Sequence, residues 1–169
     1  TYSEELKWLT TDATRMTWVA KTIQQIATSG NTLILVDRIS AGEILEKKIK
    51  DAVFVSGSTK NIDRKEQYDE VSTSQNKIII ATYGVAAVGI NIPRIFNLVL
   101  IEPGKSFVRV IQSIGRGIRK AEDKDSVQIW DITSSCKFAK RHLGARKKFY
   151  KEANYPYNIE KINYENPYT

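Results

Sequence analysis

The chain has 169 residues, 41% of them apolar and 27% charged, which suits one soluble-type domain able to bury its own core. A surplus of 26 Lys and Arg over 19 Asp and Glu gives a net charge of +7 and favours a polyanionic partner. No apolar run reaches the ~18 residues of a membrane span, the lone Cys136 excludes an internal disulfide, and the lone His142 excludes a multi-histidine metal centre.

In chain order, the start Thr1-Tyr-Ser-Glu-Glu lacks the basic lead and apolar core of a secretory signal, and it lacks an initiator Met. A fragment or processed chain in a reducing, cytoplasm-like compartment is expected, with residues 1–13 as a linking segment. Thr14–Thr28 carries Trp18, Ile23 and Ile26 and stops before Gly30, which predicts a helix with a glycine just past its end. Thr32–Val36 predicts a strand, Ile39–Lys50 a helix and Ala52–Val55 a strand. A polar helix over Ile62–Ser74 is expected on the surface. Strands follow at Lys77–Ala81 and Asn97–Ile101, then a short helix over Phe107–Gly115, a strand at Val127–Asp131 and a long basic helix over Lys137–Glu152.

The strand segments are continuous apolar runs, the mark of strands buried on both faces. Their alternation with helices predicts an α/β fold with a mostly parallel sheet and helices on both faces, spanning 14–153. The Tyr-rich tail at 154–169 either packs on a neighbouring unit or extends into solvent.

Ligands of open parallel sheets bind beyond the carboxyl ends of the strands, and three such ends hold unusual sequence. After Lys77–Ala81 comes Thr82, then Gly84, Gly89 and Asn91, in the stretch Ala81-Thr-Tyr-Gly-Val-Ala-Ala-Val-Gly-Ile-Asn-Ile-Pro93. A hydroxyl and amide at a strand end, with glycines that admit close backbone approach, suit a phosphate; a buried loop of small residues is the alternative. Gln112-Ser-Ile-Gly-Arg-Gly-Ile-Arg119 sets Arg116 and Arg119 three apart after a helix. Two planar guanidiniums on one side suit phosphate oxygens and the charge that develops in phosphoryl transfer; a solvated basic turn is the alternative. Val53-Phe-Val-Ser-Gly57-Ser-Thr59, running on to Arg64, offers hydroxyls and amides for a nucleic-acid phosphate, or a plain strand-to-helix turn.

Two absences sharpen this. Gly84 and Gly89 have phosphate-loop spacing, but Ile90-Asn91 follows where Lys-Ser/Thr is required. Asp69-Glu70 sits in a polar helical stretch rather than at the end of an apolar strand, so it reads as a solvated face. The sequence offers arginines for a nucleotide that something else must hold.

Four motifs in this order resemble those of superfamily-2 helicases. Ala81-Thr82 through Gly89-Ile-Asn91-Ile-Pro93 is similar to motif V, and Gln112-x-x-Gly115-Arg116-x-x-Arg119 to motif VI. Leu33–Asp37 is similar to motif IV, and Phe54-Val-Ser-Gly57 with Arg64 to motif IVa. The resemblance covers roughly 14–135, and its flavour is that of UvsW-type phage recombination and fork-remodelling helicases. It implies a RecA-like C-terminal lobe of a two-lobed motor, with ATP and Mg²⁺ held mainly by an N-terminal RecA-like lobe. It further implies Arg116 and Arg119 as arginine fingers coupled by Gln112, Gly89 and Asn91 on the nucleotide side, and Thr82, Gly57 and Arg38 against the nucleic-acid backbone. The implied partner is DNA or an RNA–DNA hybrid, forked or branched, and the lobe alone is expected to be inactive. Asn91 departs from the Asp of many members, and Val88 from the Arg of RNA-remodelling ones. The competing readings are a non-catalytic nucleic-acid-binding scaffold and a small-molecule α/β enzyme; the Arg116/Arg119 pair weighs against the first, and the lack of a nucleophile–base pair against the second.

In the last helix, Phe138, His142, Ala145 and Phe149 predict a buried stripe, with the lysines largely outside it. Lys140 and Lys147 are candidate phosphate contacts, against a plain solvated face. His142, Cys136 and the tryptophans Trp18 and Trp130 read as structural, and Trp8 as structural or as a contact with a neighbouring lobe.

Overall fold

The computed structural model describes residues 1–57, 66, 76–87, 92–104, 107–119 and 127–164. Among these, the helices are α1 (Tyr2–Thr11), α2 (Ala13–Ile26), α3 (Ile39–Lys48), α4 (Tyr83–Ala87), α5 (Phe107–Gly117) and α6 (Lys137–Glu152). The strands are β1 (Thr32–Val36), β2 (Val53–Val55), β3 (Ile78–Thr82), β4 (Ile92–Pro93), β5 (Asn97–Ile101), β6 (Ile118–Arg119) and β7 (Gln128–Ile132). The predicted surface helix at 62–74 and the pair Asp69-Glu70 lie outside the described residues, Glu66 apart.

Five strands form a sheet in the order β2-β3-β1-β5-β7, every pair parallel. The expected α/β fold with a parallel sheet is therefore observed. All five residues of β1 and of β5 are buried, because alternate side chains feed two cores. Leu33, Leu35, Ile79, Leu98 and Leu100 meet α4, α5 and α6 on one face. Ile34, Val36, Ile80, Val99 and Ile101 meet α2 and α3 on the other.

The amino edge of the sheet is closed by two buried amides. Asn97 Nδ2 donates to Ile26 O at 3.2 Å and to Ser29 Oγ at 2.9 Å, while its Oδ1 accepts from Trp130 Nε1 at 3.1 Å. Asn31 Oδ1 accepts from the Lys77 amide at 2.7 Å. Gly30 has φ +148°, and a Cβ there would stand 2.8 Å from the Phe96 ring, so this turn demands glycine. At Gly42, inside α3, a Cβ would lie 2.5 Å from the ring of Phe54 on β2. Gly42→Ala should therefore cost about 1–3 kcal/mol by overpacking. Urea unfolding checks it: adding Phe54→Leu should recover part of the loss, and a neutral Gly42→Ala would show that the close approach is not limiting.

Two segments depart from expectation. Residues 1–13, read as a linker, contain α1, whose Leu6, Leu9 and Thr10 are buried. The tail, described to Tyr164, folds back on its own domain: Tyr155 meets Phe149, Tyr157 meets Tyr150, and Tyr164 stacks on Trp18 with centroids 5.6 Å apart. No helix among the described residues is long and apolar enough to cross a membrane.

Candidate nucleotide and nucleic-acid site

The helix after β1 packs on one face of the sheet and the helix after β5 on the other. The carboxyl ends of these adjacent strands therefore form the topological switch point where open α/β sheets hold small ligands. Here the chain fills that crevice with α1. Arg38, just past β1, donates from Nη2 to Ser3 O at 3.2 Å and to Ser3 Oγ at 2.9 Å. A Cβ on Gly104, just past β5, would stand 2.9 Å from the Tyr2 hydroxyl. Burial pushes the Tyr2 phenol above its ordinary value, with Asp37 and Glu102 adding to the effect. Glu5 accepts the Phe138 and Ala139 amides at 3.0 and 3.2 Å, capping α6, whose own first residues supply no side-chain cap.

The fold brings together the glycine-rich segment after β3 and the arginine-bearing segment of α5 and β6. Thr82 Oγ1 accepts the Val85 amide at 3.2 Å and so starts α4; its O–H remains able to donate. Tyr83 Oη donates to Ile101 O at 3.0 Å, tying the end of β3 to the end of β5. Val85 and Ala86 of α4 pack with Phe107, Val110 and Ile111 of α5. β4 and β6 then pair in parallel, Ile92 opposite Ile118 and Pro93 opposite Arg119. That ladder, which sequence reasoning missed because each strand has only two residues, joins the end of the 81–93 segment to the end of the 112–119 segment.

Gln112 is exposed on α5, one turn before Arg116. The backbone of Arg116 lies in the last turn of α5 and that of Arg119 in β6; their side chains, like Gly89 and Asn91 entirely, lie outside the described part. Gly57 is exposed in the turn after β2, with open space where a Cβ would stand. Thr82 and Arg38 are half-buried, and Arg38 is engaged by Ser3. Lys140 is exposed and Lys147 half-buried on α6, a separate element from the paired loops.

Two buried ion pairs hold the platform from which α5 starts, and neither was legible beforehand. Arg15 of α2 is 4% exposed and bonds Glu102 and, at 3.2 Å, Thr133 O. Glu102 also accepts from Thr133 Oγ1 at 3.1 Å. Its backbone has φ +44°, a left-handed conformation that a non-glycine residue keeps only where its surroundings hold it. On the other face, Arg146 of α6 is 1% exposed. It grips Asp131 of β7 through Nε and Nη2 at 2.6 and 2.9 Å, and donates from Nη1 to Pro103 O at 2.8 Å. Tyr150 Oη donates to the same carboxylate at 2.7 Å, and burial beside Asp131 holds that phenol protonated.

This corrects the reading of α6. Its buried residues are Ala139, His142, Arg146 and Tyr150, whereas Ala145 is exposed and Phe138 and Phe149 are half-buried. A stripe inferred from apolar spacing misses a buried arginine, because its partner, Asp131, lies on the strand β7 beneath the helix.

Burial also raises the Glu102 carboxyl above 4.5, with the Arg15 guanidinium opposing. The folded state then holds the proton more tightly than the unfolded state, so this group's contribution to stability falls as pH rises from 4.5 upward. Glu102→Gln should flatten the stability-against-pH curve over that interval; denaturant midpoints at a series of pH values would show it, and an unchanged slope would exclude the linkage.

A model of the helicase conserved C-terminal domain family matches residues 14–121. The ATP-dependent DNA helicase uvsW of Enterobacteria phage T4 is 30% identical over 154 residues, covering 88% of this chain and 31% of that protein. A putative helicase of a Sulfolobus islandicus filamentous virus is 31% identical over 104 residues, 59% of this chain and 18% of its own length. The chain thus spans less than a third of either relative. The crystal structure of T4 UvsW superposes over 97% of this chain and 37% of its own with a TM-score of 0.80 at 23% identity. A structure of S. cerevisiae Dbp5 bound to RNA and ADP BeF3 superposes over 79% of this chain and 36% of its own with a TM-score of 0.58 at 20% identity.

Proposed function

This chain belongs to the helicase conserved C-terminal domain family, and on that footing we propose that it is the second motor lobe of an ATP-dependent DNA or RNA–DNA helicase. The observation that carries this reading is the pairing of Pro93 with Arg119, which sets the glycine-rich segment beside the arginine-bearing one. Such a pairing suits a surface that closes over a nucleotide held by another lobe. ATP and Mg²⁺ sit mainly on an N-terminal RecA-like lobe, with Gly89 and Asn91 facing the nucleotide from this side. Arg116 and Arg119 reach the γ-phosphate as its charge develops, and Gln112, one turn earlier on α5, orients the arginines or the attacking water.

Thr82, Gly57 and Arg38 contact the nucleic-acid backbone, and Lys140 and Lys147 meet its phosphates from α6. Likeness to a phage ATP-dependent DNA helicase favours DNA as the substrate; its proposed form is forked or branched DNA, or an RNA–DNA hybrid, of the kind met in recombination and repair. ATP binding closes the lobes and hydrolysis reopens them, which steps the motor along a strand and drives unwinding or branch migration.

The test is DNA-stimulated ATP hydrolysis by this chain alone and joined to its N-terminal lobe. Inactivity alone and activity when joined support the motor lobe. Hydrolysis by the chain alone overturns it, and DNA binding indifferent to ATP in the joined protein favours a scaffold instead.

A further inference from the structure

The charge of this chain is not spread over it. Helix α6 carries Lys137, Lys140, Arg141, Arg146, Lys147, Lys148 and Lys151 against Glu152 alone. The remainder of the chain is close to neutral, with 19 cations against 18 acids once those eight residues are taken from the totals of 26 and 19. Of the seven, Arg146 is spent on Asp131. Lys137, Lys140, Arg141, Lys148 and Lys151 are exposed, and none of them forms an ion pair among the described residues. Gly144, in the middle of their face, is exposed with open space around its Cβ position, and Ala145 beside it is exposed too. Two small residues thus leave a low saddle between Lys140–Arg141 and Lys148–Lys151, where a rod of phosphates can approach the helix backbone.

We propose that the exposed face of α6, outside the 14–121 stretch matched by the family model, is a track for the phosphate backbone of double-helical nucleic acid. Lys137 to Lys151 span about 21 Å of helix axis, enough to run beside about six phosphates of one strand. Among the described residues, the cationic face of α6 itself carries no free aromatic ring for bases to stack on; the exposed Tyr155 and Tyr157 pack on Phe149 and Tyr150, which lie off that face. Phe138 is covered by Lys137 and Arg141 and packs on Tyr2, Phe149 packs on Phe107 and Tyr155, and Tyr150 is buried. Grooves that grip single strands combine charge with such platforms; a face of charge alone suits a duplex read by its backbone, without sequence preference. This deepens the motor-lobe reading and rests on it for the identity of the polyanion.

The experiment is equilibrium binding of the 169-residue chain to a fluorescent duplex DNA over a salt series. One variant carries Lys140→Gln, Arg141→Gln and Lys148→Gln; a charge-matched control carries Lys21→Gln, Lys47→Gln and Lys161→Gln, at exposed positions elsewhere. The track variant should lower the slope of log affinity against log salt by about 2–3, close to 0.9 per lost phosphate contact. The control should move it by less than one contact's worth. Equal losses in both variants would mean that net charge alone acts, and would overturn the track, as would an unchanged slope in the first. A larger loss on single-stranded than on duplex probe would overturn the assignment to duplex. These outcomes concern binding only, so the motor reading stands or falls separately on ATP hydrolysis.

Discussion

Arg146→Met should lower the unfolding free energy by about 3–5 kcal/mol, the usual cost of stripping one partner from a buried ion pair. Arg146 is 1% exposed, binds Asp131 through two nitrogens and ties down Pro103 O through a third. Methionine fills similar space but leaves the largely buried carboxylate with Tyr150 as its remaining side-chain partner among the described residues. The expected readout is a fall in Tm on the order of 10 °C and a lower urea midpoint with unchanged m. Removing the stranded charge as well, with Asp131→Leu, should restore part of the loss, since an apolar pair of similar volume often matches a buried ion pair. A change no larger than that of Lys148→Met, at an exposed position of the same helix, would show that the network does not hold α6 to the sheet.

Arg119→Ala in the joined two-lobe protein should lower kcat for DNA-stimulated ATP hydrolysis on the order of 1000-fold, the low end of the range for an arginine finger. The effect should fall on kcat far more than on KM for ATP, because the guanidinium meets charge that appears in the transition state. Arg116→Ala should behave alike. Arg109→Ala, exposed on the same helix but outside the Gln112–Arg119 pattern, should keep its kcat and serves as the control. The register of Pro93 with Arg119 is why position 119 is expected to matter this much: the residue is fixed by a ladder to the segment that follows Asn91. If Arg119→Ala hydrolyses ATP as fast as the parent, or loses only KM, the arginine finger lies elsewhere.

The fold class was legible in the residues because its cause is local. Continuous apolar runs at Thr32–Val36 and Asn97–Ile101 can be satisfied only by burial on both faces, and both strands are buried throughout. The span of α6 could be read for the same reason: Lys137–Glu152 contains no proline, and its single glycine, Gly144, sits alone among helix formers. The four motifs could be read because glycines and arginines at fixed spacing are themselves sequence objects.

What could not be read depends on partners far along the chain. Arg146 looks like one more surface cation until Asp131, on another element, is placed beneath it. Glu102 looks like a loop acid until Arg15, 87 residues earlier, reaches it. The first dozen residues do carry a helix signal, Tyr2, Leu6 and Leu9 at helical spacing behind a Thr1–Glu4 capping box, but nothing local says that α1 docks in the crevice between β1 and β5. The sequence by itself determined a parallel α/β sheet and an ordered set of helicase motifs, since periodicity and motif spacing are properties of neighbouring residues. Only the tertiary structure decided that the usual ligand crevice is closed by α1, that Pro93 pairs with Arg119, and which of the helix cations face solvent, because each is a contact between segments whose separation along the chain carries no local signal.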